Sequence, residues 1–128
     1  MKEKEYFLIN TRDELRQFAS DNILYVLADA NYSKIVLTNN TNYEVTGKLK
    51  DVTMMMDEQL PKTAKNFARV GRSLIINLTY LHFIWPAQGK LELLDRNMDK
   101  ISLKAGEDAL KILKKNVVEK RQNEKNEK

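Results

Sequence analysis

Apolar residues in this chain gather in short runs broken by polar, turn-forming clusters, and only two segments space them at a helical period. Tyr6–Asn10 is a brief β-prone run. Ile23–Ala28 is almost continuously apolar, the pattern of a buried strand at the centre of a sheet. Tyr32–Leu37 alternates, Asn39–Asn42 is hairpin-loop chemistry, and Tyr43–Thr46 pairs back. From Lys48 to Gln59, Leu49, Val52 and Met56 fall near helical spacing with Leu60, predicting an amphipathic helix closed by Pro61. The methionines of that helix read as core packing at this spacing rather than as an adaptable groove. Farther on, His82–Trp85, Lys90–Leu94 and Lys100–Leu103 read as strands parted by turns. Gly106-Glu107-Asp108 opens a second helix, with Leu110, Leu113 and Val117 as its buried stripe and early acids that suit the positive helix end. Thr11–Glu14 is two-sided. It reads as a capping box opening a helix, yet the five residues Leu15–Ala19 make a poor helix nucleus.

Many short strands and two modest helices predict a mainly β domain. At 128 residues one domain is the natural count, and a chain of this size buries roughly two-thirds of its unfolded surface. Residues 1–118 are expected to form that domain. The stretch 119–128 has almost no apolar side chains and is expected to be a disordered, charged tail. The sequence has no cysteine, which removes disulfides, thiolate metal sites and cysteine nucleophiles. Its single histidine, His82, lies in an apolar strand, where a satisfied structural imidazole is the expectation rather than a general base. There is no Gly-rich phosphate loop, metal-ligand cluster or nucleophile motif, so the reading is a non-enzyme without cofactor or metal. The charged N-terminus is not a signal peptide and no apolar run has the length of a membrane helix, so a soluble cytoplasmic protein without a membrane partner is expected.

Charge is distributed unevenly. Residues 1–60 hold seven Lys/Arg against ten Asp/Glu, a net of −3, whereas residues 61–128 hold fifteen against eight, a net of +7. No acid occurs between Gln59 and Leu91, so Lys62, Lys65, Arg69, Arg72 and Lys90 lie in a segment that itself holds no acid. Within that segment Arg69, Gly71 and Arg72 stand directly before the apolar run Leu74–Leu78, which must be buried. Cations on short backbone anchored by buried residues are held rigidly at a surface, and such a surface suits a polyanion.

The same stretch, Phe67-x-Arg69-x-x-Arg72-Ser73-Leu74-Ile75-Ile76-Asn77-Leu78-x-x-Leu81, resembles the central signature of LytTR DNA-binding domains. Ile23–Val26 with Ala28 and then Asn31-Tyr32 resembles the stretch upstream of it, and Gly47-x-Leu49 resembles the start of the family's helix. The likeness runs from about Tyr6 to Val118. It implies a stack of small antiparallel sheets with two short helices, in which loops rather than a recognition helix enter the DNA grooves. It also implies a hairpin at Thr11–Glu14, with Leu15–Ala19 as the return strand. Consistently, no basic helix sits in a helix-turn-helix pattern.

The resemblance implies double-stranded DNA as the partner, bound by two copies on repeated half-sites. Arg72 takes the place of the arginine in the family's Arg-Ser pair, at a major groove. There it grips guanine O6 and N7, worth about 1–3 kcal/mol of discrimination, or makes a phosphate contact. Ser73 offers a hydroxyl and an N–H to phosphate. Arg69 either reaches phosphate or pairs with Asp51 or Asp57. Ser33 and Lys34 lie where the family has another contacting position, although Lys34 equally suits an outward strand lysine. Asn77 is expected to stabilise a turn, and Tyr32 to pack in the core or at an edge.

Three departures from the family stand out. Gly71 replaces a common histidine. Lys104-Ala105-Gly106 replaces a Ser-Arg pair, so Lys104 supplies a point charge where an arginine fork is usual. The family also commonly sits behind a receiver or membrane module, for which this chain has no room. Control is therefore expected from expression level, a separate signalling partner or a bound ligand. Two alternatives stay open: a protein-interaction module on the same fold with weak or lost DNA binding, and single-stranded RNA binding by aromatics on a sheet.

Overall fold

The computed structural model describes residues 4–126. A five-stranded antiparallel sheet lies at its centre, in the order β5-β4-β3-β7-β6. Its strands are β3 (Ile23–Asp29), β4 (Tyr32–Leu37), β5 (Asn42–Thr46), β6 (Phe67–Val70) and β7 (Leu74–Asn77). The near-continuous apolar run is the middle strand, because residues buried on both faces have no polar side to show water. Val26, Ile23, Ile35 and Ile75 face one core, and Leu24, Leu74 and Ile76 face the other.

Each face is covered differently. On one lie the hairpin of β1 (Tyr6–Asn10) and β2 (Leu15–Ala19) and the helix α1 (Leu49–Gln59). Phe7, Phe18, Leu49, Val52 and Met56 pack there. The hairpin is thus the outcome at Thr11–Glu14, closed by the Thr11 N–H donating to the Glu14 carbonyl at 2.9 Å. Met56 is buried and Met55 packs beside it, as core methionines should, while Met54 faces outward.

The second face is covered by a three-stranded sheet, β10-β9-β8, and by helix α2 (Glu107–Asn126). The strands are β8 (Leu81–Trp85), β9 (Lys90–Leu94) and β10 (Lys100–Lys104). Leu91, Leu93, Leu110 and Leu113 fill this core. The mainly β fold with two helices is therefore as the residues foretell.

Two local expectations differ. His82 is not a buried structural imidazole but an exposed residue on β8. The three-stranded sheet has only its inner face covered, and a register shift between Leu81 and Phe83 turns His82 and Phe83 outward. The segment from Glu119, expected as a disordered tail, continues α2 to Asn126, and residues 127–128 lie outside the described residues. Extending a packed helix by one residue costs far less than nucleating one, and Glu, Lys, Arg and Gln are good helix formers.

Asn77 performs the turn role expected of it. Its amide donates to the Ile23 carbonyl at 2.9 Å and its side-chain oxygen accepts from the Thr79 N–H at 3.0 Å. This buried residue therefore ties β7 to β3 and caps the short 3₁₀ turn that leads into β8.

Candidate nucleic-acid interface

The β6–β7 turn, Gly71-Arg72-Ser73, projects from one end of the central sheet. Gly71 has φ +64°, a left-handed turn position that L side chains rarely adopt. Its Cα side lies against α2, since a methyl there would meet Ala109 Cβ at 3.6 Å. On the other flank the Ala28 N–H donates to the Ser73 carbonyl at 2.8 Å, fastening the turn to the end of β3. Leu74 and Val70, immediately beside it, are buried. Arg72 and Ser73 are thus exposed on a turn that is fixed on both sides.

Other connections meet the same end of the molecule. The β3–β4 turn lies there by strand pairing, and the Gly47 N–H donates to its Asn31 carbonyl at 2.9 Å. The Lys104-Ala105-Gly106 connection runs from β10 into the helix turn that touches Gly71. The Ala105 N–H donates to the Gly89 carbonyl at 3.1 Å, so the β8–β9 turn is joined as well. Two cation-bearing segments separated by thirty-two positions in sequence, Arg72 and Lys104, are thereby brought onto one rim of the fold.

Each expected contact residue has a definite place. Arg72, Ser73 and Lys104 are exposed on this rim. Arg69 is exposed on the edge strand β6, opposite Ile75, and forms no ion pair with Asp51 or Asp57 among the described residues. Lys34 is half-buried on β4, two rows in from the Asp29–Tyr32 pair that closes the turn, between Leu27 on β3 and Glu44 on β5. Ser33 is different. It is fully buried, and its hydroxyl donates to the Gly47 carbonyl at 2.9 Å. The expectation that Ser33 contacts DNA is therefore corrected: pairing of β4 with β5 turns its side chain inward, to hold the loop that leads into α1. Tyr32, expected to pack in the core or at an edge, stands exposed beside the turn.

One residue of this rim was not singled out for contact by its sequence position. Lys90 faces Lys104 across the β9–β10 ladder. Its ammonium lies 3.2 Å from Glu92. That hydrogen bond, with help from Lys100 and Ser102, holds the Glu92 carboxyl below the usual carboxylate range. Lys90 is thus partly neutralised, whereas Arg72 and Lys104 have no ion pair among the described residues. The sequence signal for Lys90 was the acid-free stretch before it; Glu92, two residues on along β9 and on the same face of the strand, supplies the partner.

The chain was compared with known proteins. The family model described as the LytTr DNA-binding domain matches residues 13–117. The chain belongs to the LytTR family. Among solved structures, the LytTr DNA-binding domain of a putative methyl-accepting/DNA response regulator from Bacillus cereus matches with a TM-score of 0.59 and 18% identity. The match covers 88% of this chain and 96% of that one, and at this identity it shows the fold. The search of curated proteins returned no match.

Membership makes the chain a DNA-binding regulator domain in general terms, in a family defined by binding rather than by catalysis. No helix among the described residues is long and apolar enough to cross a membrane. No group of three or more His, Cys, Asp or Glu among them could hold a metal ion.

Proposed function

We propose that this LytTR domain is a transcriptional regulator that reads duplex DNA sequence-specifically, with the Gly71–Ser73 turn in a major groove. Arg72 grips a guanine edge, a contact that only a guanidinium fork on a fixed turn makes bidentately. Ser73 and Lys104 hold phosphates on either side, and Arg69 and Lys34 add charge along the flanks. Ser33 has a structural role only. The observation that supports this reading is the position of the Gly71 turn beside α2, where an added methyl would lie 3.6 Å from Ala109 Cβ, near the Lys104 connection that leads into the helix.

The departure at Gly71 fits the same picture. A histidine at φ +64° would be strained, whereas glycine adopts this turn position freely and leaves Arg72 and Ser73 exposed beside it. At the Lys104 position a point charge stands where a fork is usual, so this loop positions the domain and contributes little to sequence choice.

Selection of bound sites from a random duplex pool tests the proposal. A recurrent motif containing guanine is the expected result, and repeated half-sites in it would support binding by two copies. No shift of any duplex at micromolar protein and low salt would instead favour an interaction module that has lost DNA binding.

A further inference from the structure

Beside the rim that carries Arg72 and Lys104, and reached through the β8–β9 turn and Glu107, one wall of α2 borders an open groove of about 640 Å³. Trp85, Pro86 and Ala87 form one side, and Lys111, Lys114, Lys115 and Val118 the other. Trp85 and Val118 are each 47% exposed, an unusual amount of bare surface for large apolar side chains. Phe83, 39% exposed, packs edge-on against Trp85 with ring centres 6.0 Å apart. Both walls are rigid. The Gly89 N–H closes the Pro86–Gln88 turn at 2.9 Å, and Leu110 and Leu113 anchor α2 in the core.

Charge surrounds this apolar floor asymmetrically. Its charged lining is Lys111, Lys114 and Lys115 against Glu107 and Glu119, a net of +1 with the cations in the middle and the acids toward the ends. Lys111 is engaged by Glu107 at 3.0 Å, which leaves Lys114 and Lys115 as the cations over the middle of the groove.

We propose that this groove receives a short acidic segment of a partner protein, with one bulky apolar side chain seated between Trp85 and Val118. Carboxylates of that segment meet Lys114 and Lys115. The chemistry favours a peptide over a nucleic-acid strand. Glu107 and Glu119 stand toward the two ends of the groove along α2, where they repel a continuous phosphate backbone but spare a peptide whose acids cluster centrally. An apolar anchor in a preformed pocket with a polar, charged rim is also how peptide hot spots are built. The groove shares the β8–β9 turn with the rim, but none of its side chains is among those assigned to DNA, so the two readings are tested separately.

Panning a random dodecapeptide phage library against the intact chain provides the test. Synthetic copies of the enriched peptides would then be titrated by Trp85 emission, a clean reporter because the chain has a single tryptophan. Enriched peptides should share acidic residues around one Leu, Ile, Phe or Trp, should blue-shift the emission, and should bind the Lys114→Glu/Lys115→Glu variant at least tenfold more weakly. Lys114→Arg/Lys115→Arg should retain them. Circular dichroism confirms that the variants fold. Absence of enrichment, peptides without that pattern, or equal binding to the charge-reversed variant would overturn the proposal. So would duplex DNA producing the same emission change with the same loss in that variant, which would assign the groove to the DNA face.

Discussion

Replacing the buried Ser33 by alanine removes the donor to the part-buried Gly47 carbonyl. The expected cost is about 1–3 kcal/mol of stability, read from urea unfolding, with DNA affinity per folded molecule unchanged. A selective loss of DNA affinity at full stability would return Ser33 to the contact surface. Gly71→Ala addresses the neighbouring turn. Its methyl meets Ala109 at ordinary contact distance, 3.6 Å, so the penalty is the left-handed backbone alone. A loss of about 1–2 kcal/mol is expected, and a neutral result in the same unfolding assay would remove the strain argument. At this scale the sequence was legible where the side chain's job is local. Asn77 could be read as a turn residue because its partner Thr79 is two positions away. The burial of Ser33 was illegible because it depends on which strand pairs with β4 and on a carbonyl fourteen residues distant. His82 misled for a related reason: apolar neighbours say nothing about which face of a sheet is covered.

The elements pose a different problem, since their ends are set by competition. Thr11–Glu14 carries the signals of a helix start, yet Phe7 and Phe18 have a core to fill and pair across a hairpin instead. Tertiary burial outweighs a capping preference worth about 1 kcal/mol. Glu5, ahead of β1, ties this hairpin to the loop after α1. Its carboxylate accepts from the Thr63 N–H at 2.7 Å, the Thr63 hydroxyl at 2.7 Å and the Lys62 N–H at 3.0 Å. Partial desolvation raises its pKa, but these hydrogen bonds with the Lys62 charge together hold it below the usual carboxylate range. A depressed folded-state value means the contribution is present above the unfolded pKa and is lost as pH falls through the folded one. The gap in urea midpoint between the wild type and Glu5→Gln should therefore be clear at pH 7 and close toward pH 3. A gap that persists at pH 3 would contradict this linkage. Helix α2 shows the opposite lesson. Its charged C-terminal stretch has no core to join, and composition alone cannot register that a packed helix extends it.

For the whole molecule, what matters is that strand order gathers cations. The middle strand and the family signature were readable from apolar runs, but the rim they create arises from the β3–β7 pairing and from α2 folding back onto Gly71. Its cations should show in the salt dependence of binding. The log–log slope is expected near −0.9 per phosphate neutralised, and Lys104→Ala should reduce it by about one such step. A slope untouched by Lys104→Ala would place that lysine off the DNA. The most direct test of the central claim is a paired anisotropy titration of wild type and Arg72→Ala, using a duplex selected from a random pool and a shuffled duplex of the same composition. Loss of one bidentate guanine contact predicts roughly 5- to 150-fold weaker binding to the selected duplex and little change on the shuffled one. Equal losses on both would contradict base reading by Arg72.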